Sequence, residues 1–273
     1  SGEPAIGIVS GDISIREQRR SRGVESVTPA SESPLTVAIA LDVSASMRDT
    51  LPDLQEAAIR FLDTLLTERD RAMVITFDTR ARLLQPATSD RDLLRRTLLH
   101  LRPAGLTALY DAMILGLLQF EGVKGRRALV VFTDGVDRTS DHVAADLRDV
   151  ARRSNVPIFV VTGVARHGNL SMPPPIRGRP LLKSAAVAES ELWQELIREL
   201  GGVARSTGGQ LFELKSLDRL GEIYDDIGRA LGAQLLVTFR SDAGGENEWR
   251  AIDVSIPRRS LRVHAPSGYY APR

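Results

Sequence analysis

The sequence predicts an α/β fold: a doubly wound, mostly parallel six-stranded sheet with one antiparallel edge strand, helices on both faces, and a small β annex. Three observations predict it. Short, wholly apolar runs alternate with stretches of helical periodicity through the middle of the chain, the pattern of helices covering both faces of a parallel sheet. One pair of apolar runs is joined by too few residues for a crossover. Finally, both ends of the chain carry strand-like segments without intervening helical periodicity.

Leu35 to Leu41 reads LTVAIAL, a continuous apolar run suited to a strand buried on both faces. Leu54, Ala58, Phe61, Leu62 and Leu65 then recur at helical spacing. The next run, Ala72 to Phe77, meets Ala81 to Gln85 across Asp78, Thr79 and Arg80, a connection that suits a hairpin and hence the antiparallel strand. Ser89 with Asp92 forms an expected capping box for a helix over Leu93 to Leu101, and Ala108 to Phe120 makes another apolar-striped helix. Strands over 128–132, 157–161 and 210–214 alternate with helices over 143–151, around 193–200 and over 217–231. Between them, Gly163 to Lys183 contains Pro173, Pro174 and Pro175 and reads as a long surface loop. A polyproline ligand and an N-glycosylation acceptor at Asn169 are the functional alternatives within it.

The flanks are β alone. Ile13, Ile15, Val24 and Val27 mark strand-like sequence before the body, and 234–239, 249–256 and 261–265 mark it afterwards. The expected division is therefore a flank over 1–33, an α/β domain over 34–232, and C-terminal strands over 233–273 that pair with the first flank.

Composition narrows the function. The 36 Lys and Arg residues nearly cancel the 35 Asp and Glu residues, so overall charge favours neither nucleic acid nor an anionic membrane surface. The chain has no cysteine, which excludes disulfides, thiolate nucleophiles and thiolate zinc sites. No run approaches the roughly 18 consecutive apolar residues of a membrane span, and the start lacks a secretory pattern. The opening Ser1-Gly2 without an initiator Met suggests trimmed boundaries, so a natural signal or anchor is still expected to be compatible with this sequence. The four histidines, His100, His142, His167 and His264, lack metal-ligand spacing. No nucleophile elbow, phosphate loop or dinucleotide fingerprint is present.

Chemistry concentrates after the first buried strand, at Asp42-Val43-Ser44-Ala45-Ser46. Ligands of open α/β sheets bind beyond the carboxyl ends of strands. One carboxylate and two hydroxyls at alternating positions suit a hard cation, and they equally suit capping of the following helix. Thr107, in Gly105-Leu106-Thr107-Ala108, and Asp134, at the end of Val130-Val131-Phe132-Thr133, stand where they would face the same crevice. Asp111 reads as a hydrogen-bonding support. Asp137 and Asp141 fit either capping or the rim of a cation site.

The ordered set Asp42, Ser44, Ser46, Thr107 and Asp134, in DVSAS, GLTALYDA and FTDGVD contexts, resembles the metal-ion-dependent adhesion site of von Willebrand factor A domains. The resemblance covers roughly residues 35 to 231. Pro34, the strand containing Gln234, and Gly268-Tyr269-Tyr270 are in addition similar to the VWFA-related proteins abundant in Acidobacteria. The resemblance implies Mg²⁺, with Mn²⁺ or Ca²⁺ as alternatives, held directly by Ser44 and Ser46. It implies Asp42 and Asp134 acting through water or hydrogen bonds, and Thr107 changing between direct and water-mediated contact. It implies a non-enzymatic adhesion or interaction module whose metal is completed by an Asp or Glu of a partner protein, in a secreted or envelope-associated setting. The last helix, 217–231, shifts in many such domains. An adaptor for an AAA+ ATPase and a Mg²⁺-dependent hydrolase are the alternative readings.

Overall fold

A computed structural model describes residues 7–163, 184–241, 245–257, 261 and 263–271. The expected Pro-rich loop and its glycosylation tripeptide fall largely outside these residues. In chain order the first flank forms β1 (Ser14–Glu17), β2 (Arg20–Arg22) and β3 (Val24–Pro29). The body follows as β4 (Leu35–Asp42), α1 (Leu51–Leu65), β5 (Arg71–Phe77), β6 (Ala81–Thr88), α2 (Arg91–Leu99) and α3 (Leu109–Leu118). It continues with β7 (Arg126–Thr133), α4 (Ala144–Ser154), β8 (Ile158–Thr162), α5 (Ser184–Ser206), β9 (Gln210–Glu213) and α6 (Leu220–Gly232). The last flank is β10 (Leu235–Phe239), β11 (Trp249–Ser255) and β12 (Gly268–Tyr270).

The body is the predicted six-stranded sheet, in the order β6-β5-β4-β7-β8-β9. Only the pairing of β5 with β6 is antiparallel. All eight residues of β4 are buried, as a central strand covered on both faces requires. Side chains alternate across a strand, so Leu35, Val37, Ile39 and Leu41 enter one core with α1, α2 and α6. Ala38 and Ala40 enter the other, with α3, α4 and α5. Small residues let α3 approach closely: a Cβ added to Gly116 would lie 2.9 Å from Leu129 Cδ1. Each fully buried Leu or Ile contributes about 1.5 to 3 kcal/mol through area removed from water.

Two details differ from the sequence expectation. The residue capping α2 is Asp90, whose carboxylate accepts from Leu93 N–H at 2.9 Å, and Ser89 with Asp92 makes no capping box. The chain turns into the helix one residue later than the Ser-x-x-Asp spacing suggests. The expected strand over 261–265 is not one among its described residues; β12 lies further on, at Gly268–Tyr270. The chain is tied first to the end of α5, where Thr207 bridges Pro266 and Ser267 N–H donates to Ser206 O. It can join β11 only where its backbone fits beneath Trp249. Gly268 provides that fit, because an added Cβ would stand 2.3 Å from the Trp249 ring.

The annex is a four-stranded antiparallel sheet, β12-β11-β1-β2, beside a two-stranded ribbon of β10 and β3. First and last flanks pair directly: Ile15 faces Val254, and Val237 faces Val27. Glu17 fastens them. Its buried carboxylate accepts from Arg22 Nε at 2.8 Å and from the hydroxyls of Ser241 and Tyr269, with Arg250 3.7 Å away. Burial pushes this carboxyl up, but the bonds from Ser241, Tyr269 and Arg22 outweigh it and hold the pKa below its ordinary value. The annex also rests on α4, where the Arg152 and Arg153 guanidiniums lie 5.4 and 4.2 Å from the Trp249 and Tyr270 ring centroids.

Candidate metal centre

The parallel pairing of β4 with β7 places Leu41 opposite Phe132, so the next residues, Asp42 and Thr133, end their strands side by side. Thr133 Oγ1 donates to Asp42 Oδ2 at 2.8 Å. The other oxygen of Asp42 accepts the Ser44 N–H at 2.9 Å, which bends the chain away from the sheet. Val43 N–H donates back to Phe77 O, and Ser44 then leads into a 3-10 turn over Ala45–Asp49. That turn returns Ser46 towards Ser44: their hydroxyls are 3.0 Å apart. Ser46 Oγ also donates to Asp134 Oδ1 at 3.0 Å.

Thr107 completes the cluster from a third direction. It lies two residues ahead of α3, whereas the expected helix began directly after it, at Ala108. Its hydroxyl is close to the Asp134 turn, since a Cβ on Gly135 would meet Thr107 Oγ1 at 3.5 Å. Several loops fix its backbone. Thr107 O accepts from Arg138 N–H at 2.8 Å and Thr139 N–H at 3.2 Å, while Ala108 N–H donates to Asp78 O. Leu106 N–H donates to Thr79 Oγ1 at 3.2 Å, and Ala45 N–H to Gly105 O at 3.1 Å. Gly105 sits at φ +73°, and an added Cβ would stand 2.5 Å from Thr79 Oγ1, so glycine is required there.

The five predicted residues are therefore gathered at the carboxyl ends of the central strands. Asp42, Ser44 and Thr107 are buried, and Ser46 is exposed. Burial, and then the charge of Asp134, pushes Asp42 up to about 7. Burial likewise raises Asp134. Asp134 Oδ2 is buried and has no hydrogen-bond partner among the described residues. Among the described residues neither of these desolvated carboxylates is ion-paired, which favours a bound positive charge. The donor set, oxygen only, with three neutral hydroxyls to two carboxylates, fits a hard divalent cation. Among the described residues no three His, Asp or Glu side chains converge, so this centre is distinguished by its hydroxyls rather than by acidic density.

The neighbouring polar residues support the centre. Asp137 Oδ2 accepts from Tyr110 N–H at 3.0 Å and from Ser140, capping the start of α3 from outside the helix. Asp111 accepts from the N–H groups of Asp141 and His142, and lies 2.8 Å from His142 Nδ1. Sequence reasoning missed Thr133 and Thr79. A polar side chain closing an otherwise apolar strand was the available signal for Thr133; Thr79 carried none, because its partner lies on a distant loop.

Residues 37–136 match the family model described as von Willebrand factor type A domain. That segment is therefore similar to that class, and it holds all five residues of the crevice. A UPF0353 protein from Nocardia farcinica is 22% identical over 243 residues, covering 81% of this chain and 69% of that protein. Among solved structures, a von Willebrand factor type A protein from Catenulispora acidiphila superposes with a TM-score of 0.55 at 18% identity, over 73% of this chain. The match spans only 43% of that protein's chain. Proximal thread matrix protein 1 from the mussel byssus, solved with a zinc-occupied MIDAS motif, gives 0.57 at 17% identity. That match covers 80% of this chain and 50% of the byssus chain. At these identities the structural likeness concerns the fold.

Proposed function

We propose that the chain is a metal-dependent protein-interaction module rather than an enzyme. The metal-bearing unit spans residues 34–232, with the flanks forming its annex. The observation that carries this reading is the buried, unpartnered Asp134 Oδ2 beside the linked hydroxyls of Ser44 and Ser46.

Asp42, Ser44, Ser46, Thr107 and Asp134 would hold the cation. Mg²⁺ is the first choice for an all-oxygen, hydroxyl-rich set, with Mn²⁺ or Ca²⁺ next. When bound, the cation supplies Lewis acidity towards an incoming carboxylate. The protein's own contribution is to keep neutral hydroxyls nearest the crevice and to orient both aspartates by internal hydrogen bonds. Asp42 is fixed by Thr133 and Ser44, and Asp134 by Ser46. Negative charge is thereby retained without crowding the approach of an Asp or Glu from a partner protein. The exposed Ser46 lies on the approach side, while Asp42 is fully buried. An extracellular or envelope setting suits such a module, and the byssus matrix protein is an extracellular example by its name.

The test is capture of partners from the source organism's extract with Mg²⁺, with EDTA, and with Asp134→Ala. Partners retained only by the metal-loaded native chain are expected. Identical capture under all three conditions would sink the reading.

A further inference from the structure

Three segments enclose residues 105–108, and each carries an exposed arginine: Arg48 on the 3-10 turn, Arg80 on the β5–β6 connection, and Arg138 after β7. Their backbones are tied to the enclosed segment. Ala45, three residues before Arg48, donates to Gly105 O; Thr79, next to Arg80, accepts from Leu106; Arg138 itself donates to Thr107 O. Among the described residues none of the three side chains takes part in an ion pair, whereas three nearby acids are engaged internally. Asp78 pairs with Arg82 at 2.9 Å, Asp111 with His142, and Asp137 with Tyr110 N–H and Ser140.

Resting on the metal-dependent reading above, we propose that this rim recognises a protein segment with several spaced acidic residues: one for the metal, the others shared among Arg48, Arg80 and Arg138. A guanidinium presents a planar fork that matches a carboxylate. The rim is not uniformly basic, because Asp49 adjoins Arg48 and Asp141 follows Arg138 by three positions. Alternating sign disfavours a dense polyanion and matches carboxylates set apart along a chain. Leu106, 51% exposed on the segment that the three connections hold, offers an apolar contact suited to a protein segment.

The test measures fluorescence anisotropy of two labelled peptides on the full chain in Mg²⁺. One peptide carries a single aspartate among glycine and serine; the other carries three, separated by glycine and serine. The three-aspartate peptide is expected to bind about tenfold more tightly, from several exposed ion pairs acting together, and less so at high salt. The triple variant Arg48→Ala, Arg80→Ala, Arg138→Ala is expected to reduce that difference below about twofold, and the matching Lys variant to restore part of it. Unaltered thermal melting verifies that the variants fold. Equal affinity for both peptides, or an advantage that survives the triple Ala variant, overturns the proposal. It leaves the metal reading standing if binding still vanishes in EDTA. An arginine-dependent advantage that persists undiminished in EDTA overturns the proposal together with the metal reading, since the carboxylate assigned to the metal then contributes nothing. Failure of both peptides to bind, with or without arginine-dependent binding of a sulfated polysaccharide, also overturns it.

Discussion

Thr133 Oγ1 donates a 2.8 Å hydrogen bond to Asp42 Oδ2, linking the ends of the two central strands beneath the candidate metal centre. The bond is buried, and the acceptor is a carboxylate with no exposure of its own. Thr133→Val keeps the shape but removes the donor. The variant is expected to lose about 1 to 3 kcal/mol, the cost of a buried acceptor left unsatisfied, as read from urea denaturation. Its metal affinity should fall as well, because Asp42 loses one of its two orienting bonds. Native affinity and stability in Thr133→Val would argue that Ser44 N–H alone orients Asp42.

Asp134 predicts a ligand-linked change in stability. A ligand that binds only the folded state at a hundred times its Kd stabilises by about 2.7 kcal/mol. Titration with Mg²⁺, Mn²⁺ or Ca²⁺ should raise the Tm of the native chain, and EDTA should reverse the rise. Asp134→Ala should show neither response, although removing a desolvated carboxylate whose Oδ2 has no partner among the described residues should leave the metal-free form at least as stable. A native Tm indifferent to all three metals would count against a cation at this position.

His142 predicts a pH effect. Its 2.8 Å contact with Asp111 raises its pKa above the ordinary histidine value, against the opposing effect of burial, with the charges of Asp111, Asp146 and Asp141 adding to the rise. A raised folded pKa means that the contact's contribution is complete below the ordinary histidine pKa and is lost as pH rises through the folded value. NMR titration should place the His142 midpoint above about 6.5, and Asp111→Asn should return it towards that value. A midpoint that ignores Asp111→Asn would show that this contact does not form in solution.

Glu17 predicts a local loss of order. Glu17→Ala leaves Arg22 and Arg250 without their buried carboxylate, a change expected to cost about 3 kcal/mol within the annex. Hydrogen exchange should accelerate over β1 and β11 while β4 and β7 stay protected. Uniform acceleration through the body would instead mean that annex and sheet unfold together.

The sheet was legible because LTVAIAL and RALVVFT are short apolar runs rich in β-branched residues and bounded by Pro34 or Gly125 before and an aspartate after, which fits strands buried on both faces. The gathering of Asp42, Ser44, Ser46, Thr107 and Asp134 followed from their places at strand and helix ends. Register and close approach were less accessible. Nothing in residues 261–265 reveals that Gly268 is what fits beneath Trp249, because that constraint belongs to the opposing strand. Thr79 was equally silent, since its value lies in a hydrogen bond to Leu106 across 27 residues of sequence. The difference between Ser89 and Asp90 as the α2 cap is a one-residue matter of backbone direction that composition does not encode.

The pairing of β4 with β7 also has a consequence in time. Leu35 to Leu41 must find Arg126 to Phe132, and the intervening residues build β5, β6 and three helices. Such sequence-distant pairing is slow to form, since loop closure precedes its reward. A chain still emerging from the ribosome can present DVSAS long before FTDG exists. On the proposed metal reading, ion capture at this crevice is withheld until β7 has joined β4, and metal uptake during synthesis would report that the chain has been made at least as far as Asp134.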